Sequence, residues 1–356
     1  MHCEKILTAL AIVVSLAGCG IRNIKSKRQA DDYTARIDSL IQTTSPRLFN
    51  GVILITQNGV TKYSKAFGYS DLARKIPLKM MDNFRIQSNS KQVTAVLVLK
   101  EVEKGTVKLD DPVSAYLSDL KNTWADTVTV HQVLNMSAGI VALGKPLAFK
   151  PGTNFRYSNP AYGLLQRIIR NVTGREFTAV AKDLFKTLGM TNTYCYSLEE
   201  PNVGLINGYW ISKDSFELVD FRAMNFTAES WANFVPAGGI ISNAIDLNTW
   251  DTMLHEGHIL HKKSYEQMTN SPVVDSDFAF SDEKSNYGYG VNIQEKPIKY
   301  IGHAGRGIGF TCLKIYVPSK KLDVIILENV YSRDDNAIYH FEKAIRQVVE
   351  RSSLMR

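Results

Sequence analysis

Hydrophobic and polar positions follow two regimes along this chain, strand-like near both ends and helix-like between them. Gly51-Val-Ile-Leu-Ile-Thr-Gln57 and Lys62-Tyr-Ser-Lys-Ala-Phe-Gly68 flank Asn58-Gly59. Asn-Gly between two such runs predicts a two-residue hairpin, since both residues accept the positive φ the turn requires. Phe310 to Val317 and Leu322 to Leu327 are apolar runs parted by Pro318-Ser319, and they predict a second hairpin. Ala30 to Ile41 mixes polar and apolar residues as a surface helix does, and Asn336 to Val349 predicts a closing helix. In the middle, Ser88 to Glu103 carries Val93, Val96, Leu97 and Leu99 and stops at Gly105. Thr129 to Met136 predicts a short helix. Pro160 to Val172 stops near Gly174, and Phe177 to Leu188 stops at Gly189. The expected fold class is α/β and multi-domain. An antiparallel sheet drawn from both chain ends is flanked by terminal helices, with a mainly helical domain inserted. Residues 31–80 and 286–356 would form the sheet domain and residues 81–285 the insert, with the active site between them.

Composition adds limits. The chain has 356 residues, 44% hydrophobic and 22% charged, which is globular and excludes general disorder. The net charge is +7, yet no Arg/Lys stripe with interleaved aromatics runs through the body, so nucleic acid is not implied. The densest basic run, Arg22, Lys25, Lys27 and Arg28, follows an N-terminal segment that reads as an address. Lys5 precedes the apolar stretch Ile6 to Ala17, which falls short of the ~20 residues needed to span a bilayer and suits a secretory signal. Leu16-Ala17-Gly18-Cys19 is similar to a bacterial lipoprotein signal. Residues 1–18 would then be removed, Cys19 lipidated, and residues 19–30 would form a tether. The expectation is an exported lipoprotein, membrane-anchored and facing the periplasm or cell surface. Of four cysteines, Cys195 and Cys312 remain, and a chain of this size needs no staple, so both are expected as free thiols.

Three short patterns carry chemistry. Ser88-Asn-Ser-Lys91 sets a hydroxyl and an amine on one face at a helix start, the arrangement that activates a serine nucleophile. Ser118–Lys121 and Ser281–Lys284 share the spacing but do not open an apolar-faced helix. Tyr157-Ser-Asn159 is the only Tyr-x-Asn among sixteen tyrosines. A phenol near an ammonium is acidified and can serve as a base, and Asn159 can hydrogen-bond an amide or ester. Taken alone, this tripeptide reads first as a turn in which Asn159 caps a helix beginning at Pro160. Gly302-His-Ala-Gly305 sits in a glycine-dense run just before the strand expected at Phe310. The [His/Lys]-x-Gly pattern recurs at Lys150 and His255, but only His303 adjoins a strand.

In this order, the three boxes resemble those of serine β-lactamases and penicillin-binding proteins. The Tyr-x-Asn box is that of the branch containing class C β-lactamases, D-alanyl-D-alanine carboxypeptidases and esterases. Phe84-Arg-Ile-Gln-Ser-Asn-Ser-Lys-Gln92, Leu109-Asp-Asp-Pro-Val113, Pro151-Gly-Thr-Asn-Phe-Arg-Tyr-Ser-Asn159, Leu188-Gly-Met190, Pro236-Ala-Gly-Gly239, Tyr287-Gly-Tyr-Gly290 and Gly302-His-Ala-Gly305 carry the resemblance. It implies a β-lactamase/transpeptidase-like fold and a serine hydrolase without cofactor or metal. Ser88 would form an acyl-enzyme, while Lys91 and Tyr157 share the proton transfers. The backbone N–H groups of Ser88 and Arg306 would make the oxyanion hole. Asn159, His303 and Gly305 would bind substrate, a small molecule or peptide ester or amide.

Departures from the pattern bear on substrate. A histidine at position 303 is mostly neutral at pH 7, where β-lactamases usually have lysine, so a β-lactam carboxylate meets less positive charge. Esterase or D-amino-acid peptidase activity therefore ranks above β-lactamase activity, and a non-catalytic binding protein is the alternative from another class. Gln87 is bulkier than the glycine or alanine frequent before the nucleophile and would narrow the site. Met136 and Ala138 stand where relatives carry polar residues. His255-Glu-Gly-His258 misses the H-E-x-x-H metal spacing, with Gly257 ending a helix over Asn248–Leu254. Pocket walls are expected from loops at Leu198–Arg222 and Ser271–Ser285.

Overall fold

The computed structural model describes residues 31–356 apart from 213–214, 271–272, 276–284, 297 and 335. The expected signal segment, Cys19, the tether, Ser281–Lys284 and most of Ser271–Ser285 lie outside the described residues. Residues 32–356 form one compact unit.

An eight-stranded sheet organises it. In spatial order the strands are Val274–Asp275, Ser285–Tyr287, Asn292–Gln294, Tyr300–Gly307, Phe310–Val317, Leu322–Glu328, Gly51–Gln57 and Val60–Phe67. Every neighbouring pair is antiparallel. The two chain ends meet where Gly51 pairs with Glu328 and Gln57 with Leu322. Both expected hairpins form, and Asn58 (φ 52°) and Gly59 (φ 72°) make the first turn.

The run Val52-Ile-Leu-Ile55 is apolar throughout because both faces of this sheet are covered. Val52 and Leu54 enter one core together with Ile325, Leu327 and the helix Ser90–Glu103. Ile53 and Ile55 enter a second, with Ile37 and Ile41 of the helix Thr34–Ile41 and Phe341, Ile345 and Val349 of the helix His340–Glu350. The terminal helices thus cover one face, and the helical middle of the chain covers the other.

Several elements differ from the sequence expectation. Tyr300–Gly307 is a strand, so His303 lies within a strand rather than ahead of one. Its glycines lower the strand signal, yet they allow close packing. Leu198–Arg222 is not merely loop. Tyr209–Ser212 and Ser215–Leu218 form a hairpin, and Val330–Ser332 joins it in parallel. The closing helix begins at His340 rather than Asn336, after turns in which Ala337 and Ile338 donate to the Asp334 carbonyl.

Candidate active site

Ser88 sits in a 3-10 turn, Gln87–Asn89, that runs directly into the helix Ser90–Glu103. The turn hangs from a short strand, Phe84–Arg85, paired with Ile240–Ser242. Ile86 donates its N–H to the Ile240 carbonyl and Ile240 donates to Ser90 Oγ, which fixes the approach to Ser88. Lys91 then projects one turn on, fully buried. Its Nζ lies 3.1 Å from Ser88 Oγ and donates to the Ala237 carbonyl at 2.7 Å. Burial holds the amine well below the usual lysine range. In its neutral form Nζ would offer a lone pair to the Ser88 proton while one of its N–H groups stays on Ala237.

Tyr157 approaches from the other side. Its phenol donates to Ser88 Oγ at 2.7 Å, and its ring centroid lies 4.7 Å from Lys91 Nζ. At 38% exposure it stands at the open mouth of the site. The following helix, Asn159–Thr173, is capped by Ser158, whose Oγ accepts from the Ala161 N–H. The cap is thus Ser158 and not Asn159, which is exposed in the first turn.

The strand Tyr300–Gly307 forms the third wall. His303 is buried there, with both ring nitrogens engaged. Nδ1 meets the Ala304 carbonyl and Nε2 lies 3.0 Å from the Tyr287 hydroxyl. A carbonyl can only accept, so Nδ1 carries the hydrogen and Nε2 accepts from Tyr287. Burial first, and then the neighbouring Lys91 and Lys314, push the imidazole down to about 3. It is neutral at physiological pH. Gly305 is required by proximity, since a Cβ there would stand 2.8 Å from Gln87 Cβ and 2.9 Å from the Ile86 carbonyl. Arg306 follows with an exposed side chain whose guanidinium lies 6.0 Å from the Tyr339 ring centroid.

A buried amine and a phenol converging on one serine are what the three-box resemblance implies. The profile of the Beta-lactamase family matches residues 37–347. The chain belongs to the β-lactamase family. As a member it is a serine hydrolase of mixed α/β fold. It is 27% identical over 300 residues to a Bacillus subtilis protein named as penicillin-binding, PbpX, covering 79% of this chain and 71% of that one. It is 30% identical over 194 residues to protein flp of Staphylococcus aureus, 47% of this chain, and spans only 39% of flp's length. The D-amino acid amidase of Ochrobactrum anthropi SV3, solved with L-phenylalanine amide, superposes with a TM-score of 0.75 at 20% identity, over 89% of this chain and 98% of that one.

Within this β-lactamase-family site, two contributions carry little sequence signal. Ala237, in the helix Ala228–Gly238, acts through its carbonyl, which any residue could supply. Tyr287 gives His303 Nε2 its hydrogen bond, and only its place in Tyr287-Gly-Tyr-Gly290 hinted at a role. The other matches fall elsewhere. Lys121 donates to the Ser118 backbone carbonyl in an exposed turn, not to its hydroxyl. His255 turns inward, with Nδ1 2.8 Å from the Tyr265 hydroxyl and its ring stacked on Tyr316. Among the described residues, no group of three or more His, Cys, Asp or Glu is placed to hold a metal ion. Among them Cys195 and Cys312 are free, and burial pushes both thiols up to about 12.

Proposed function

We propose that this protein hydrolyses a carboxylic ester or amide through an acyl-enzyme on Ser88. The observation that carries the reading is the convergence of Lys91 Nζ and the Tyr157 hydroxyl on Ser88 Oγ, at 3.1 and 2.7 Å. Ser88 Oγ attacks the substrate carbonyl and its proton passes to Lys91. Tyr157, nearer the mouth, hands a proton to the departing alcohol or amine and is reprotonated from Lys91. Water then attacks the acyl-enzyme, giving its proton to the same pair, and Ser88 recovers its own as the acid leaves. Lys91 and Tyr157 titrate as a unit, so the pair is the functional base. The oxyanion is held by the backbone N–H groups of Ser88 and Arg306. Asn159, at the exposed start of its helix, orients the acyl side of the substrate.

Esters and D-amino-acid amides are preferred over β-lactams. The His303 position offers a neutral imidazole where a substrate carboxylate would need a cation, and the amidase fold match supports an amide substrate. The Leu16-Ala-Gly-Cys19 segment supports an exported lipoprotein, held to a membrane through Cys19, with its catalytic body in the cell envelope.

The test is acylation. Purified protein is exposed to chromogenic acetate and butyrate esters, D-amino-acid amides and penicillins, and Ser88 is followed by mass spectrometry. An adduct on Ser88 with turnover that disappears in Ser88→Ala is expected, esters and amides outpacing penicillins. Turnover that survives in Ser88→Ala contradicts the assignment, as does a protein that acylates with none of the panel.

A further inference from the structure

Gln87 stands immediately before Ser88 with φ 50°. A side chain with a Cβ is strained there, because the Cβ crowds the carbonyl oxygen, and glycine or asparagine is the usual occupant. Strain of this kind persists where the surroundings enforce it. Here the side chain is 2% exposed, and its Nε2 donates to the Gly307 carbonyl at 2.6 Å. The contact joins the nucleophile turn to the end of the strand Tyr300–Gly307, which reverses at once through Ile308 (φ 49°) and Gly309 (φ 78°). A second tie runs alongside, with Asn89 Nδ2 3.2 Å from Cys312 Sγ and Cys312 Sγ 3.1 Å from the Ile86 carbonyl. The two segments so joined carry the backbone N–H groups of Ser88 and Arg306, and Gly307 is the residue after Arg306.

We infer that Gln87 is a positioning residue. Its amide, braced on Gly307, sets the separation between the N–H groups of Ser88 and Arg306 and therefore the size of the oxyanion hole. The inference rests on the acyl-enzyme reading. Donors of this kind accelerate reaction only when held in place beforehand, so loosening the brace weakens transition-state binding more than substrate binding.

Two variants of the full chain separate this from a packing role. Gln87→Gly accepts the positive φ without strain but removes the arm. Gln87→Met keeps the length of the arm but has no hydrogen to give the Gly307 carbonyl. Three quantities are measured: kcat and KM on a chromogenic acetate ester, the Ki of phenylboronic acid, whose serine adduct places a tetrahedral oxygen in the hole, and Tm. In both variants kcat falls about 10- to 100-fold and boronate affinity falls in step, while KM stays within about threefold. The Tm of Gln87→Gly does not drop. Unchanged kcat and Ki in Gln87→Gly would overturn the inference. So would a loss of kcat accompanied by a lower Tm with Ki unaltered. Ser88→Ala is the control: if it is inactive while Gln87→Gly is normal, only the brace fails, whereas an active Ser88→Ala removes the parent reading.

Discussion

Lys91 shows how a residue ordinarily found at the surface is fitted for the role of base proposed above. The spacing from Ser88 was legible in the sequence, because three residues on a helix is a fixed geometry. Its burial was not, because the covering elements come from far along the chain, Ala237 and Tyr157 among them. Burial disfavours the ammonium, so the folded protein releases the proton more readily than the unfolded chain does. The consequence for stability has a definite sign. Well above pH 10.5, lysine is neutral in both states and no penalty arises. As pH falls toward the depressed folded value, the unfolded chain gains a proton that the folded one resists, and stability is lost. Lys91→Met keeps most of the volume without that penalty. It is expected to cut kcat at least ~10³-fold and to raise the urea midpoint most at pH 7, with the gain shrinking by pH 10. Activity profiles and urea curves at the two pH values check this. Retained turnover, or an equal midpoint difference at both pH values, contradicts a neutral amine.

At the scale of the element, the strand Tyr300–Gly307 decides the site. The hairpins and helices with strong periodicity or an Asn-Gly turn were visible in the sequence, as was the apolar-faced helix after Ser88. This strand was not, because three of its eight residues are glycines at 302, 305 and 307, which weaken a β pattern. Proximity explains them, since the strand passes within van der Waals reach of the nucleophile turn. Gly305→Ala places a methyl 2.7 Å from Cys312 Sγ and 2.8 Å from Gln87 Cβ. Both neighbours are buried and held by hydrogen bonds, so the strand must shift away from Ser88. The expected cost is ~1–3 kcal/mol of stability, as for other overpacked cores, with a fall in kcat that exceeds any rise in KM. Urea unfolding and steady-state kinetics measure both. A variant with normal kcat shows that the strand does not need this contact.

Across the whole molecule, buried ionic groups fasten the layers beside the apolar cores. Arg47, before the first strand, makes a bidentate pair with Glu328 at 2.7 Å on each arm and reaches Glu342 at 3.4 Å, tying both chain ends. A second group lies on the active-site face. Lys314, on the strand opposite His303, ion-pairs with Asp251 of the helix Ala244–His255 and donates to Gln92 Oε1 at 2.9 Å. Gln92 follows Lys91, so this lysine joins the sheet, a covering helix and the nucleophile helix at one point. A charged residue amid Phe310-Thr-Cys-Leu-Lys-Ile-Tyr-Val317 was the one sequence sign of it; its partners lie 63 and 222 positions away. Asp251 and Lys314 are each at most 1% exposed. The nearby Asp323 is pushed well up by burial and by the Asp251 charge, so the site has little capacity for further negative charge. Lys314→Met takes the lysine from the buried Asp251 carboxylate and leaves it beside His255 Nε2 at 3.6 Å, and removing one partner of a buried pair costs ~3–5 kcal/mol. Replacing both, as Lys314→Met with Asp251→Leu, removes the buried charge and should recover most of the loss, since ion pairs and apolar contacts of similar volume are often near parity. Urea titration of the two variants distinguishes the cases. A single-variant cost below ~1 kcal/mol, or a double variant no more stable than the single, would mean that the layers are held by apolar packing and not by this pair.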